Sequence, residues 1–172
     1  MSEPPAERAS VAVSMHCDAW LEACPEVEAL AAAAAHAALS RAARKSAAPL
    51  ILGVILTDDA EQRELNRTYR GRDAATNVLA FALADLAADP AQAPAGSPVL
   101  LGDVVLAFGT VMRESAEQRK PLSDHLRHLV VHGVLHLWGF DHQDAETAAG
   151  MEAREVEILQ ALGVPDPYRA IM

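Results

Sequence analysis

Three histidines spaced around one glycine constrain this chain more than any other feature it has. The segment reads His132-Gly-Val-Leu-His136-Leu-Trp-Gly139-Phe-Asp141-His142. Helical positions four apart lie about 40° apart in azimuth and one turn apart along the axis. The imidazoles of His132 and His136 can therefore reach one cation at about 2.0–2.1 Å. Gly139 lets the helix stop in a left-handed conformation, after which the chain turns back and His142 supplies a third nitrogen. Three protein ligands leave a fourth tetrahedral position for water, which separates a catalytic zinc from a closed structural one. Zinc lowers the pKa of such a water to about 7, giving hydroxide at neutral pH. The segment therefore predicts one Zn2+ per chain, held by His132, His136 and His142, with His136 counted in the catalytic machinery.

A pair of histidines four apart is weak by itself, because such pairs often sit satisfied in a core or on a surface. His125 and His128 fall on the same helical stripe as His132 and His136, so His128 with His132 is a second pair of equal spacing. Only the later pair is followed by a glycine turn and a returning histidine. His125 and His128 are accordingly expected to make hydrogen bonds in the core or behind the metal ligands. Asp141 and Asp103 are further candidates to orient a ligand histidine through its second ring nitrogen. A cap or turn role competes for each of them.

The rest of the chain supplies a scaffold. Val11 to Met15 reads as a short strand, and the Ala-rich stretch Glu22 to Lys45 as a helix with Pro25 in its first turn and Arg41, Arg44 and Lys45 near its end. Leu50 to Leu56 is a continuous apolar run bounded by Pro49 and Thr57-Asp58-Asp59, as a buried strand requires. The Thr/Asp cluster caps a helix to about Tyr69, which Gly71 ends. Asn77 to Phe81 reads as a strand, and Leu100 to Phe108 as a strand interrupted at Gly102-Asp103. Between them, Asp85 to Pro98 is a loop of the length usually found near functional sites. Helices follow over Gly109 to Gln118, about Pro121 to Trp138, and about Ala145 to Leu162. The expected architecture is a single α+β domain over 1–172, a small mixed sheet packed with about five helices, with residues 1–10 as a flexible extension.

Composition narrows the function classes. About half the residues are apolar (51%) but only 4% are aromatic, so the core must be built from Leu, Val, Ile and Ala. Cys17 and Cys24 cannot make a disulfide framework and read as thiols in a reducing compartment. The acidic, proline-containing N-terminus lacks the pattern of a signal peptide, and the longest non-polar stretch, Ala47 to Leu56, is too short to cross a bilayer. A cytoplasmic protein without membrane contact is expected. The net charge of −10 argues against general nucleic-acid binding, because phosphate affinity comes largely from Lys and Arg. Carboxylates crowd the C-terminal part from Asp141 onward, whereas the balance reverses between Arg63 and Arg72, so any RNA contact must be local.

The histidine spacing matches the long zinc motif of metzincin proteases, with one departure. Those enzymes place a glutamate directly after the first histidine as general base. Here Gly133 holds that position and cannot accept a proton. The whole segment instead resembles the HGxLHLxGxDH signature of the YbeY family. Asn66 to Phe81 is similar to that family's N-x-x-Y-R-x-x-D-x-x-T-N-V-L-S-F stretch, with Ala80 in place of the usual serine. Leu101-Gly-Asp-Val104, Met151-Glu with Glu155 and Leu162-Gly163, and Asp166-Pro-Tyr168 also agree. The likeness runs from about Thr57 to Tyr168. It implies an α+β fold around a three-histidine zinc and single-strand-specific endoribonuclease activity. It further implies a role in maturing the 3′ end of small-subunit (16S) rRNA and in ribosome quality control, and an important arginine at Arg70. Expected partners are single-stranded RNA or rRNA and the ribosomal small subunit or its proteins; DNA is not expected.

Arg63, Arg67 and Arg70 recur at helical spacing on one face, with Arg72 just beyond, and guanidinium forks suit phosphate oxygens. Arg70, Arg67 and Arg72 are the candidate substrate contacts, and Arg70 is the candidate to stabilise charge in the transition state. A solvated face without a ligand competes, most strongly for Arg63 and Arg67. Two other functions stay open: a non-catalytic, metal-stabilised ribosome assembly factor that uses its acidic surface to dock on basic proteins, and a zinc metallopeptidase-like hydrolase.

Overall fold

The apolar run Leu50 to Leu56 becomes the centre of the sheet. The computed structural model describes residues 9–42, 49–83, 99–137 and 145–168. In it β2 (Leu50–Thr57) has parallel neighbours on both sides, β1 (Ala9–Met15) and β4 (Val99–Ala107). Antiparallel β3 (Val78–Ala82) pairs with β4 and completes the order β1-β2-β4-β3. Among the described residues six helices accompany this mixed sheet: α1 (Ala19–Ala23), α2 (Val27–Ala42), α3 (Asp59–Arg70), α4 (Phe108–Glu117), α5 (Leu122–Leu137) and α6 (Ala145–Ala161). The α+β class is as expected. β1 begins earlier than its sequence suggests, because Ala9 and Ser10 already lie in register with Leu50 and Ile51. The loop expected over Asp85 to Pro98 falls outside the described residues; just before it, the Leu83 amide donates to the Leu101 carbonyl.

The single helix expected over Glu22 to Lys45 is two. Proline lacks an amide hydrogen and pushes the preceding residue toward extended backbone. Cys24, before Pro25, sits at φ −147° and ψ 93°, and α2 starts only at Val27. Pro25 therefore separates two helices rather than opening one. Trp20 anchors the short α1: its indole donates to the Thr57 carbonyl at 2.9 Å and its ring meets Phe108 edge-on. Cys17 and Cys24 are free thiols.

The interruption expected at Gly102 is a bulge inside one continuous strand. Between Ile51 and Leu52 the register on β4 skips from Leu100 to Gly102. Gly102 adopts φ 139°, and a β-carbon there would run into the Phe81 carbonyl.

α5 is the best-buried helix near the site. Leu126, Val130, Val131, Val134 and Leu135 are fully buried, each large aliphatic stabilising the fold by about 1.5–3 kcal/mol. Gly133 lets α5 settle closely on the sheet: a β-carbon there would stand 2.6 Å from Val104 Cγ1 and 3.4 Å from Val78 Cγ2. On its other sides α5 meets α2 and α6. The buried stripe of α2, Ala31, Ala34, Ala35 and Ala38, is small enough for close helix–helix approach. Met151, Ile158 and Leu159 form the buried stripe of α6.

α3 is held by polar rather than apolar contacts. Asp58 caps its start by accepting from the Glu61 amide at 2.8 Å, and Gly71 ends it at φ 69°. Its buried side chains, Gln62 and Asn66, bind the following turn and β4: Gln62 accepts from Thr76 N in the turn and donates to the Val105 carbonyl of β4, and Asn66 donates to the Ala74 carbonyl. That turn delivers the chain to β3 with Arg70 beside it.

Candidate metal centre

The four histidines of α5 point along one stripe and divide among different partners. His125 is buried; its Nε2 lies 2.9 Å from Glu114 Oε1, and Glu114 also accepts from Asn77. Burial lowers the His125 pKa, against the opposing pull of Glu114. This is a core hydrogen bond, as its sequence position suggested.

His128 and His132 converge on one carboxylate. Glu155, on α6, is fully buried; its Oε1 lies 2.5 Å from His132 Nδ1 and its Oε2 lies 3.0 Å from His128 Nε2. The Tyr168 hydroxyl, carried back by the chain after α6, donates to the same carboxylate. An unpartnered charge in such a place would cost several kcal/mol. Here burial pushes the Glu155 carboxyl up, but the hydrogen bonds from His128, His132 and Tyr168 outweigh it and bring the pKa down to about 2. Burial and the adjacent Glu155 raise the Tyr168 pKa, so its hydroxyl stays protonated and donates.

With Nδ1 of His132 engaged by Glu155, its Nε2 is left carrying a lone pair. That atom lies 3.0 Å from Nε2 of His136. Two nitrogens bound tetrahedrally to one zinc at about 2.0–2.1 Å stand about 3.3 Å apart. The pair thus fits a shared cation, and imidazole nitrogens suit zinc. A second grouping is also present: His128, His132 and Glu155 could hold a metal, their donor atoms lying within 4.8 Å of one another. That grouping would require the hydrogen bonds to Glu155 to be given up, whereas the His132–His136 pair would keep them. His142, Asp141 and Gly139 lie outside the described residues.

Asp103 does not join the histidines. Val104 faces α5 at Gly133, so the preceding residue on the strand points to the other side of the sheet, where Asp103 lies beside Gly53. Strand alternation therefore removes Asp103 as a partner of a ligand histidine.

The arginines divide into two pairs. Arg63 binds Asp73 at 2.7 Å and 3.1 Å, and Arg67 binds Glu64, all on the exposed surface. Arg70 instead donates to the Ala80 carbonyl of β3 and lies over the Phe81 ring, 5.3 Å from its centroid. Asn77 and Leu83 hydrogen-bond to β4, so the alternate residues Val78, Ala80 and Ala82 turn their backbone groups to the side of β3 that no strand pairs among the described residues, the border of the sheet. Arg70 thus sits on that border. Two residues back along β3, roughly 7 Å away, Val78 meets α5 at Gly133, next to His132. Arg72 is exposed just beyond.

Glu155 and Tyr168 were not singled out from the residues as partners of the histidines. A signal was present: Glu155 interrupts the otherwise apolar stripe Met151, Ile158, Leu159 at helical spacing, and a charge on a buried stripe needs a partner.

Known proteins resemble this chain over most of its length. Residues 21–163 match the family described as Endoribonuclease YbeY. A protein of Paramagnetospirillum magneticum named Endoribonuclease YbeY is 49% identical over 158 residues, which are 92% of this chain and 94% of that protein. One from Magnetococcus marinus with the same name is 52% identical over 124 residues, 70% of this chain and 84% of its own. The solution structure of TM1509 from Thermotoga maritima shares the fold, with a TM-score of 0.54 at 20% identity, covering 94% of this chain and all of that one (100%). A match this long, with relatives about half identical, has one meaning: the chain belongs to the YbeY family.

Proposed function

We propose that this chain is a zinc-dependent, single-strand-specific endoribonuclease that acts in rRNA processing, at the 3′ end of the small-subunit rRNA, and in ribosome quality control. The observation that carries the reading is the facing pair His132 Nε2 and His136 Nε2, 3.0 Å apart, with the opposite nitrogen of His132 fixed by Glu155. The relatives named Endoribonuclease YbeY support the substrate class. His132, His136 and His142 hold one zinc, which when bound supplies Lewis-acid polarisation of a phosphoryl oxygen. Glu155 keeps the proton of His132 on Nδ1 and orients the ring. Arg70, on the border of β3, binds the charge that builds up on the phosphate, with Arg72 beside it. Arg67, engaged with Glu64, contributes to RNA contact only by exchanging that partner. Ribosome assembly places such an enzyme in the cytoplasm, and no helix among the described residues is long and apolar enough to cross a membrane.

The test is metal analysis together with cleavage of single-stranded RNA by wild type and His136→Ala prepared side by side. The variant should lose metal and cleavage together. Full cleavage by metal-free protein would overturn the role given to zinc. The net charge of −10 favours a second reading, a non-catalytic assembly factor that docks on basic ribosomal proteins. It predicts that metal removal unfolds the chain and that wild type never cuts RNA.

A further inference from the structure

The aromatic residues of this chain are few, and one of them is placed where burial cannot explain it. Tyr69, in the last turn of α3, is 70% exposed. Its ring is nevertheless fixed, edge-on to Phe81 with centroids 5.9 Å apart and planes at 67°. Arg70 lies over the same Phe81 ring and is tied to the Ala80 carbonyl. The result is an ordered exposed aromatic face beside a guanidinium on the free border of β3.

The charges around it are sorted in the same sense. Of the four arginines between positions 63 and 72, the two on the earlier turns are neutralised by Asp73 and Glu64. Arg70 and Arg72, which follow Tyr69 on either side of Gly71, make no ion pair among the described residues. In a chain of net charge −10, the two arginines of this segment that make no such pair stand next to the exposed ring. Surfaces that bind single-stranded nucleic acid combine these two elements, a cation for the backbone and an aromatic face for an unpaired base. A paired base offers no free face to such a ring, because its neighbours in the stack cover it.

We infer that Tyr69 is a stacking subsite for an unpaired nucleobase of single-stranded RNA, with Arg70 and Arg72 holding the adjoining phosphates. This deepens the nuclease reading and rests on it for the identity of the ligand. It assigns the preference for single strands to a residue outside the metal centre. Phe81 pairs with Asp103, on the face of the sheet turned away from α5, so the stacked base lies across the border of β3 from the phosphate at the histidines.

The experiment uses the full chain loaded with zinc and two fluorescent probes, a short unstructured RNA and the same sequence in a duplex. Equilibrium binding is read by anisotropy, and KM and kcat by cleavage. Tyr69→Ala should weaken single-strand binding and raise KM about ten-fold, the loss expected for one base stacked on an aromatic ring. Its kcat and zinc content should stay as in wild type. Tyr69→Phe and Tyr69→Trp should keep wild-type binding, whereas Tyr69→Leu should behave like Tyr69→Ala, which separates stacking from simple apolar contact. The Tyr69→Trp indole should be quenched by the single strand and not by the duplex. Unchanged binding in Tyr69→Ala, or full binding in Tyr69→Leu, would overturn the subsite. Wild type that binds single strands but does not cut them defeats the nuclease reading alone, since the Tyr69 series is still decided by anisotropy. Wild type that binds no RNA defeats both.

Discussion

Nδ1 of His132 and Oε1 of Glu155 lie 2.5 Å apart, one on α5 and the other on α6. This contact decides which nitrogen of His132 faces outward, and so joins the burial of a carboxylate to the geometry of the proposed metal centre. It also means that α6, which offers no metal ligand in the proposed site, still controls how well that site binds.

Replacing that carboxylate is therefore expected to act on metal affinity before it acts on anything else. Glu155→Gln keeps size but removes the charge and one of the acceptors. Zinc affinity should fall about 10–100-fold, the usual effect of losing a carboxylate behind a ligand histidine. Competition against a chromophoric chelator measures it. An unchanged dissociation constant would remove Glu155 from the positioning role.

Arg70 should separate binding of charge from binding of metal. Arg70→Ala is expected to lower RNA cleavage by about 10²-fold or more, within the range for losing a group that stabilises transition-state charge, while zinc content stays intact. Arg70→Lys should recover only part of the loss, because an ammonium cannot reproduce the planar fork. Equal kinetics for wild type and Arg70→Ala would end the assignment.

Gly133 tests the seating of α5. Alanine is the better helix former by about 1 kcal/mol, yet its β-carbon would stand 2.6 Å from Val104 Cγ1. Overpacking of this kind costs about 1–3 kcal/mol, so Gly133→Ala should be net destabilising in urea unfolding. Adding Val104→Ala should relieve the clash and recover part of the loss. A Gly133→Ala chain more stable than wild type would show that the approach is looser than described.

His125 gives the pH dependence a sign. Burial lowers its pKa from the ordinary value of 6.5, so the folded state holds it neutral where the unfolded chain would protonate it. Its contribution is present above that value and is lost as pH falls from it toward the lowered folded value. The stability difference between about pH 7 and about pH 5.5 should therefore be smaller in His125→Gln than in wild type. Urea midpoints at the two pH values measure this, and equal differences in the two proteins would refute the burial argument.

Local rules made much of this legible in the sequence. Asp58 and Gly71 bracket α3 because capping and left-handed termination are decided within a few residues. β2 was legible because a strand buried between two neighbours needs an unbroken apolar run. What escaped depended on partners far away in the chain. Whether Gly102 ends a strand or bulges it is decided by β2, and the separation of α1 from α2 turns on Pro25 together with the anchoring of Trp20 at Thr57. In the site, the helical spacing of His132 and His136 sets their Nε2 atoms 3.0 Å apart. The convergence of Glu155 and Tyr168 on that site needed the packing of α6 against α5, which no local pattern encodes.

The hydrogen bond from Arg70 to the Ala80 carbonyl has a consequence for how molecules of this protein meet one another. β3 is the edge strand of the sheet among the described residues, and an open rim is a template on which another chain can add a strand. Val78 has its amide capped by the Asn77 side chain, and Ala80 has its carbonyl occupied by a guanidinium. Strand addition would have to displace both, so the rim is guarded against self-association by the same arginine that is proposed to bind phosphate.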